Sequence, residues 1–375
     1  RKNKNKKKGW FRKMKRKWMM LRTVLVCLCL AVLAALPAMA AEENALPRIT
    51  AETTMTEVHT NPGLVGAGIM TYSKDKYFPQ RQKWANKTLA EYVGSENAEA
   101  SVNGLNLIIE NYEAGVQVTY PLYTAEEIAE DATRKDAELY YFPGKTAGSK
   151  YAVVLSGNTG SRTAELKECV STASELHEMG YTVFILRYRV FQEAKDNAPV
   201  EDLARAVQYI TDHADQFAVQ TEGYALLGYS SGGHLIGVFA GDEMGYKNYG
   251  LPKPGALILG YSIINFAEAK PGYAMLIDPG VVLSRRYYQL SVSDAVTDDY
   301  PPVYFWYGKN DMTLTILNFP LQGPALRHAL QAHNVAYKEV VYDHASHGIG
   351  LGVGTEAEGW LSDAVAFWEA QTAEE

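Results

Sequence analysis

The sequence predicts an α/β protein with a mostly parallel central sheet and helices on both of its faces. From residue 137 onward, short apolar runs rich in β-branched and aromatic residues alternate with longer segments of helical periodicity. One apolar run, residues 223–227, leads into a Gly-x-Ser-x-Gly turn and then into a helical segment. A serine, an aspartate or a histidine, the residue types that catalyse hydrolysis, follows several of these predicted strands. In a parallel sheet, ligands bind beyond the carboxyl ends of the strands.

The chain begins with the three-part pattern of a secretory signal peptide. Residues 1–22 contain twelve Lys and Arg and no acid, residues 23–36 are continuously apolar, and a small-x-small cleavage site ends at Ala40. The apolar run is short for a membrane span, which needs about 20 residues. We therefore expect secretion with cleavage after Ala40 and no lasting membrane partner. An uncleaved membrane anchor is the alternative.

The residues after Ala40 are strongly acidic, since they contain all 43 acidic residues but only 24 of the 36 basic ones. Nucleic acids and anionic membranes recruit clustered Lys and Arg, so neither is an expected partner. Cys169 is the one cysteine beyond the signal peptide, which leaves no internal disulfide to form. No Cys/His cluster has the spacing of metal ligands, so we expect neither a metal nor another cofactor.

Residues 41–136 are predicted to form an N-terminal extension packed on the main domain. A helix is expected at 81–93, and short strands at 105–110 and 116–120. The main domain spans residues 137–375, and residues 263–300 form a small cap inserted between two of its strands.

The main domain alternates predicted strands and helices. Strands are predicted at 138–142 (an edge strand), 151–155, 181–188, 223–227, 255–259, 303–307 and 337–342, and helices at 164–179, 200–217, 314–333 and 355–371, besides the one that follows the glycine-flanked turn.

Ser230 is the candidate nucleophile. Gly228 and Gly232 flank it in the Gly-x-Ser-x-Gly turn, and without a Cβ they allow a sharp bend between strand and helix. The serine at such a bend presents its hydroxyl at the edge of the sheet. A second Gly-Tyr-Ser, ending at Ser262, lacks the closing glycine and the helix. A Gly/Ser turn without chemistry is the alternative for the Ser230 segment.

A serine hydroxyl requires an imidazole that accepts its proton and a carboxylate that orients the imidazole. Asp311 follows the strand at 303–307, and His347 lies in the loop after the last strand. The alternatives are a helix N-cap for Asp311 and His344 as the base. The order serine, acid, histidine along the chain is that of α/β-hydrolases.

Two backbone amides are expected to bind the oxyanion of a tetrahedral intermediate. One is the N–H of Ser231, the residue after the nucleophile. The other comes from the loop at 156–160, with Asn158 as the first choice. An ordinary strand-to-helix turn is the alternative for this loop.

The segments 228–235, 301–311 and 346–351 resemble the α/β-hydrolase group that contains acetyl-xylan-esterase-like and other carbohydrate-ester hydrolases. The resemblance covers about residues 137–367. It implies the α/β-hydrolase fold and a serine esterase of small acyl groups without a cofactor. The sequence departs from the group at the loop 156–160, which is not a glycine run, and in the extension.

The sequence thus predicts a secreted serine hydrolase that cleaves carboxylic esters with short acyl groups, acetylated carbohydrate included. Its partner would be a small-molecule or glycan ester. A peptidase or amidase on the same fold and a catalytically silent binding protein are the alternatives. The acyl and alcohol specificity and the oligomeric state are left open.

Overall fold

The structure is a computed structural model, and it describes residues 14, 45–69, 84–157, 165–190, 193, 196–265, 291–311 and 322–373. The predicted signal peptide apart from Met14, most of the predicted cap (266–290) and Asn158 lie outside the described residues. The chain divides into Arg1–Pro47 and a compact unit Arg48–Glu375. Every helix and strand named below belongs to the second unit.

In the described part of the chain, eight strands form one sheet in the order β1-β2-β4-β3-β5-β6-β7-β8. The strands are β1 Thr119–Pro121, β2 Glu138–Phe142, β3 Tyr151–Leu155, β4 Thr182–Arg187, β5 Ala225–Tyr229, β6 Ala256–Gly260, β7 Val303–Gly308 and β8 Tyr337–Tyr342. β2 is antiparallel to both of its neighbours, and the strands from β4 to β8 in the sheet order are parallel. The mostly parallel sheet predicted from the sequence is confirmed.

The central strands are buried along their whole length. Every residue of β3, β4, β5 and β6 is buried, which is why these strands are continuous apolar runs, apart from Thr182 and Arg187 at the two ends of β4. The strand order reverses at β3, because β4 lies on one side of it and β5 on the other. Such a switch point opens a crevice beyond the carboxyl ends of the two strands.

Helices connect and flank the strands. They are α1 Met55–Thr60, α2 Pro62–Gly66, α3 Leu89–Val93, α4 Ala98–Glu113, α5 Ala125–Glu130, α6 Val170–Glu178, α7 Ala198–Asp212, α8 Ala214–Phe217, α9 Ser231–Ala240, α10 Gln322–Ala332 and α11 Trp360–Gln371; Ala132–Asp136 and Tyr246–Tyr249 are 3₁₀ turns, and Glu165–Cys169 is a π turn that leads into α6.

Three local predictions are wrong. Residues 105–110 belong to helix α4 and not to a strand, since their buried neighbours recur every three or four residues along that helix. Strand 138–142 is not at the edge, because β1 pairs with it. The predicted helix 81–93 is interrupted: among its described residues, Trp84 and Ala85 are helical, 86–88 are not, and α3 begins at Leu89 after the reciprocal capping box of Thr88 and Glu91.

The residues before 137 make close contacts with the elements that follow them. Helix α4 packs along α6, and Gly104 permits this approach, because a Cβ there would lie 2.8 Å from the carbonyl oxygen of Val170. The Ser101 hydroxyl donates a 3.2 Å hydrogen bond to the carbonyl of Leu166. This segment also supplies β1 to the sheet.

Candidate active site

Ser230 lies between the end of β5 and the start of α9, in a backbone conformation that is rare for a residue with a side chain. Its φ is 50° and its ψ is −118°. A conformation of this kind costs about 1–3 kcal/mol and persists only where the surroundings hold it. The Ser230 N–H donates to the Gly260 carbonyl at 3.1 Å, and the Ser230 carbonyl accepts from the Ile263 N–H at 3.1 Å. The end of the neighbouring strand β6 therefore fixes both peptide groups of this residue.

The glycines that flank Ser230 are required by close backbone contacts. A Cβ on Gly228 would lie 2.6 Å from the backbone of Gly232, and a Cβ on Gly232 would lie 2.6 Å from the Ser156 carbonyl oxygen. The sharp turn thus brings α9 against β5 and against the end of β3. This explains the spacing of the Gly-x-Ser-x-Gly motif in terms of packing.

The structure brings Ser230, His347 and Asp311 into one hydrogen-bonded chain. His347 Nε2 lies 3.0 Å from Ser230 Oγ, and His347 Nδ1 lies 2.9 Å from Asp311 Oδ2. The Asp311 side chain is fully buried, whereas that of His347 is 18% exposed. With the Nδ1–H donated to the carboxylate, Nε2 is left as the acceptor for the serine proton. The imidazole is thus oriented to remove that proton.

Asp311 and His347 lie in two loops that pack tightly against each other. Gly308 leaves no room for a Cβ, which would overlap the Ala345 carbonyl. The Asn310 side-chain amide donates to the Asp343 carbonyl at 2.9 Å. The alternative base, His344, is exposed, and its backbone N–H donates to the carboxylate of Glu356. The contact between the loops therefore sets the separation of the carboxylate and the imidazole.

Of the two predicted oxyanion donors, Ser231 and Asn158, the structure describes only Ser231. Ser231 is the first residue of α9, and the amides of a first helical turn face the helix start, where the dipole favours negative charge. In the predicted loop 156–160, Gly157 lies so close that a Cβ would be 2.8 Å from Ser230 Cβ. The Gly157 N–H, however, donates to Glu168 Oε2 at 2.8 Å. Asn158 lies outside the described residues, so its amide stays a prediction.

Two buried residues near the site were missed by sequence reasoning. Glu168, in the π turn, is 4% exposed, and its Oε1 accepts a 2.8 Å hydrogen bond from the Tyr261 hydroxyl. The Tyr261 hydroxyl in turn accepts from the Gly350 N–H at 3.2 Å, and its ring centroid lies 4.9 Å from that of His347. This hydrogen-bonded chain joins the loop after β3 to the loop that carries His347.

The ionisation of these two groups follows from their burial. Loss of hydration raises the pKa of Glu168, against the lowering effect of the hydrogen bonds from Tyr261 and Gly157. Burial, together with the Glu168 charge, raises the pKa of Tyr261 well above its usual range. Tyr261 is therefore a neutral hydroxyl, able to donate to Glu168 and to accept from Gly350. Glu168 lies in a π turn, a feature that is frequent at functional sites. A single sequence does not reveal a π turn, so the role of Glu168 could not be predicted from it.

The described residues contain no group of three or more His, Cys, Asp and Glu side chains that could hold a metal ion. In the same residues, no helix combines the length and the apolar character needed to cross a membrane. The hydrogen bonds from Ser230 through His347 to Asp311 form an arrangement in which an imidazole and a carboxylate can activate a serine hydroxyl.

The sheet and the position of the site place the protein in a class: the chain has the α/β-hydrolase fold. Solved structures that share this fold with TM-scores above 0.5 include the following three. One is an acetyl ester-xyloside bifunctional hydrolase from Caldicellulosiruptor lactoaceticus (TM-score 0.56, 20% identity), and the match covers 67% of this chain and 95% of the hydrolase. Esterase B from Lactobacillus rhamnosis (0.55, 16%) covers 74% and 97%, and a carboxylesterase from Lactobacillus plantarum (0.54, 18%) covers 64% and 94%.

Sequence comparison adds a narrower likeness within that class. A family model described as BD-FAE matches residues 139–248, a range that contains Ser230 but neither Asp311 nor His347. Endo-1,4-beta-xylanase B of Butyrivibrio fibrisolvens is 24% identical over 200 residues, which are 50% of this chain and 31% of the relative. The chain thus spans less than a third of the length of this curated relative.

Proposed function

We propose that this protein is a serine hydrolase that cleaves carboxylic esters through an acyl-enzyme intermediate. The observation that carries the proposal is the hydrogen-bonded chain from Ser230 through His347 to Asp311. It lies beyond the carboxyl ends of the parallel strands β5, β7 and β8, where α/β sheets bind their ligands. The likeness to solved carboxylesterases supports the same reaction class.

In the acylation half-reaction, Ser230 Oγ attacks the ester carbonyl carbon while His347 Nε2 takes the hydroxyl proton. Asp311 holds the imidazole in the required tautomer and stabilises the imidazolium that forms. The tetrahedral intermediate collapses as the ester C–O bond breaks, and the leaving alcohol oxygen receives the proton from His347. The acyl group then remains on Ser230 as a new ester.

In the deacylation half-reaction, a water molecule replaces the alcohol. His347 removes one proton from this water as its oxygen attacks the acyl carbon, and then returns that proton to Ser230 Oγ as the acyl–enzyme bond breaks. The products are a carboxylic acid and the regenerated serine. Each step needs only these side chains and water, so the proposed reaction has no cofactor.

The oxyanion of both tetrahedral intermediates binds to the backbone amides of Ser231 and Asn158. The N-terminus of α9 stabilises this negative charge, because the peptide dipoles of the helix point their positive ends at it. The Gly157 amide serves another purpose, since its donation to Glu168 holds the loop after β3 beside Ser230.

The proposed substrates are esters of short acyl groups, including acetyl groups on carbohydrate. The names of two similar proteins, an acetyl ester-xyloside hydrolase and a xylanase, support a carbohydrate ester. The basic and then apolar leader before Ala40 supports secretion. A secreted esterase of this kind would meet acetylated glycans outside the cell.

The experiment that tests the proposed function compares two histidine variants. We expect the purified protein to hydrolyse p-nitrophenyl acetate faster than the butyrate or octanoate ester. His347→Ala lowers kcat by several orders of magnitude, as does Ser230→Ala, because each removes a group needed in every transition state. His344→Ala, in the same loop but exposed, keeps the kcat of the unchanged protein.

Full turnover by His347→Ala or Ser230→Ala would contradict the proposed mechanism. A matched amide, p-nitroacetanilide, separates the reaction classes: faster turnover of the amide than of the acetate would assign an amidase instead. A folded protein that turns over neither substrate would favour the catalytically silent binding protein.

A further inference from the structure

The loop that carries His347 is held by a side chain from more than 240 residues earlier in the chain. Asn97, only 1% exposed, precedes helix α4. Its Nδ2 donates to the Ile349 carbonyl at 3.0 Å, and its Oδ1 accepts from the Leu351 N–H at 2.8 Å. The amide thus pairs with the loop backbone as a neighbouring strand would, starting two residues after His347.

Asn97 is itself fixed in place. Its second Nδ2 hydrogen is donated to the Val93 carbonyl at 3.1 Å, and its own carbonyl accepts from the Ser101 N–H at 2.9 Å. Gly350 has a φ of 60°, and a Cβ there would overlap Asn97 Oδ1. The fit is therefore specific on both sides: a glycine in the loop leaves the space, and an asparagine fills it.

The loop has little regular structure of its own to hold it. Gly348, Gly350, Gly352 and Gly354 all have positive φ, and glycines lose more conformational entropy on ordering than other residues. On the side away from Asn97, the Gly350 N–H donates to the Tyr261 hydroxyl. The Gly350 carbonyl accepts from Trp360 Nε1 at 3.0 Å. Asn97 supplies the opposing contacts, so the loop is clamped from two directions.

We propose that Asn97 is a positioning residue for His347, which makes the segment before residue 137 part of the catalytic unit. This inference rests on the proposed esterase function. His347 acts as a base only where its Nε2 stays within hydrogen-bond reach of Ser230, at 3.0 Å. A displacement of about 1 Å in such a group can lower the rate about 100-fold. The family match at 139–248 does not include Asn97.

Helix α4 offers a matched control for this test. Asn106 makes the same pair of reciprocal bonds to another stretch of backbone: its Nδ2 donates to the Ile49 carbonyl at 2.9 Å, and its Oδ1 accepts from the Ile49 N–H at 2.8 Å. Substituting Asp at either position keeps the shape and removes the donor. Each variant also sets a carboxylate oxygen against the backbone carbonyl that the amide had bound, that of Ile349 or of Ile49.

The test measures kcat and KM for p-nitrophenyl acetate in Asn97→Asp and Asn106→Asp, well below the midpoint of thermal unfolding of either variant. We expect Asn97→Asp to lower kcat by about 10- to 100-fold with little change in KM, because it displaces the base and leaves Ser230 in place. Asn106→Asp keeps the kcat of the unchanged protein. Deuterium uptake in peptides covering 346–352 rises in Asn97→Asp alone.

Equal kcat in the two Asp variants, with the unchanged protein active, would overturn the role of Asn97 and leave the proposed function intact. An unchanged protein that hydrolyses no ester would remove the proposed function, and the role of Asn97 with it. If Asn97→Asp does not fold, the kcat values of Asn97→Ser and Asn106→Ser are compared instead. Equal kcat in these two variants would likewise overturn the role of Asn97.

Discussion

Tyr261 connects Glu168, which binds the Gly157 amide, to the loop that carries His347. Its hydroxyl donates to Glu168 and accepts from the Gly350 N–H, while its ring lies against the imidazole of His347. Beside it, the Tyr229 ring is stacked at a centroid distance of 5.3 Å, and the Tyr229 hydroxyl pairs with that of Thr172 at 2.6 Å. The two tyrosines are equally buried, and it is Tyr261 that makes the hydrogen bond to Gly350 and the ring contact with His347.

This difference predicts that Tyr261→Phe lowers kcat about tenfold, whereas Tyr229→Phe leaves kcat unchanged. Removing the Tyr261 hydroxyl frees the His347 loop to shift relative to Ser230. Tyr261→Phe lowers the free energy of unfolding by about 1–3 kcal/mol, because it leaves the buried Gly350 N–H without its acceptor and Glu168 Oε1 without its donor. Tyr229→Phe lowers it by about 0.5–1.5 kcal/mol, since the Thr172 hydroxyl keeps its hydrogen bond to the Glu168 carbonyl. Ester kinetics and urea unfolding of the two variants check this, and an equal loss of kcat in both would refute a specific role for Tyr261.

At the scale of elements, the contact between α4 and α6 connects the N-terminal segment to the loop after β3. Helix α6 continues from the π turn that holds Glu168, so α4 supports the residue that binds the Gly157 amide. At Gly104 the two helices lie so close that an added Cβ would lie 2.7 Å from a side-chain carbon of Val170 on the opposite helix. The packing is therefore sensitive to the addition of a single methyl group.

Gly104→Ala is predicted to destabilise the protein by about 1–3 kcal/mol, although alanine favours helix formation over glycine. The added Cβ would lie 2.8 Å from the Val170 carbonyl oxygen. Because this oxygen belongs to the backbone, it cannot rotate out of the way as a side chain can. Asn103→Ala, one position earlier and exposed, is expected to change the free energy of unfolding by less than about 0.5 kcal/mol. Urea titration measures both, and a stabilised Gly104→Ala would show that α4 and α6 can separate at little cost.

Whether a segment forms a strand or a helix could be predicted where the residues of that segment alone carry the pattern. The strands from β2 to β7 are mainly apolar runs with clear breaks, β8 is rich in Val and Tyr, and the structure has a strand at each of them. Residues 105–110 contain adjacent isoleucines, which favour a strand locally, but the buried face of α4 decides for a helix. The predicted helix at 355–371 begins only at Trp360, since Gly359 before it has a φ of 87°.

At the scale of the whole molecule, the sheet topology explains which parts of the site the sequence could predict. Parallel strands end at one edge, so residues after β5, β7 and β8 converge there, and Ser230, Asp311 and His347 are found together. Asn97 and Glu168 carry no such signal. Their contacts join segments that become neighbours only after the helices pack, so no local pattern marks them.

The most direct test of the central claim is the covalent labelling of the folded protein with a fluorophosphonate, followed by peptide mass analysis of the adduct. This reagent traps a serine whose hydroxyl is activated by a neighbouring base. We predict one adduct, on Ser230, and loss of labelling in His347→Ala. Ser262, which donates to the Gly228 carbonyl at 3.2 Å, provides an internal control and stays unlabelled. A folded protein without an adduct, or with the adduct on another serine, would contradict the assignment of Ser230 as the nucleophile.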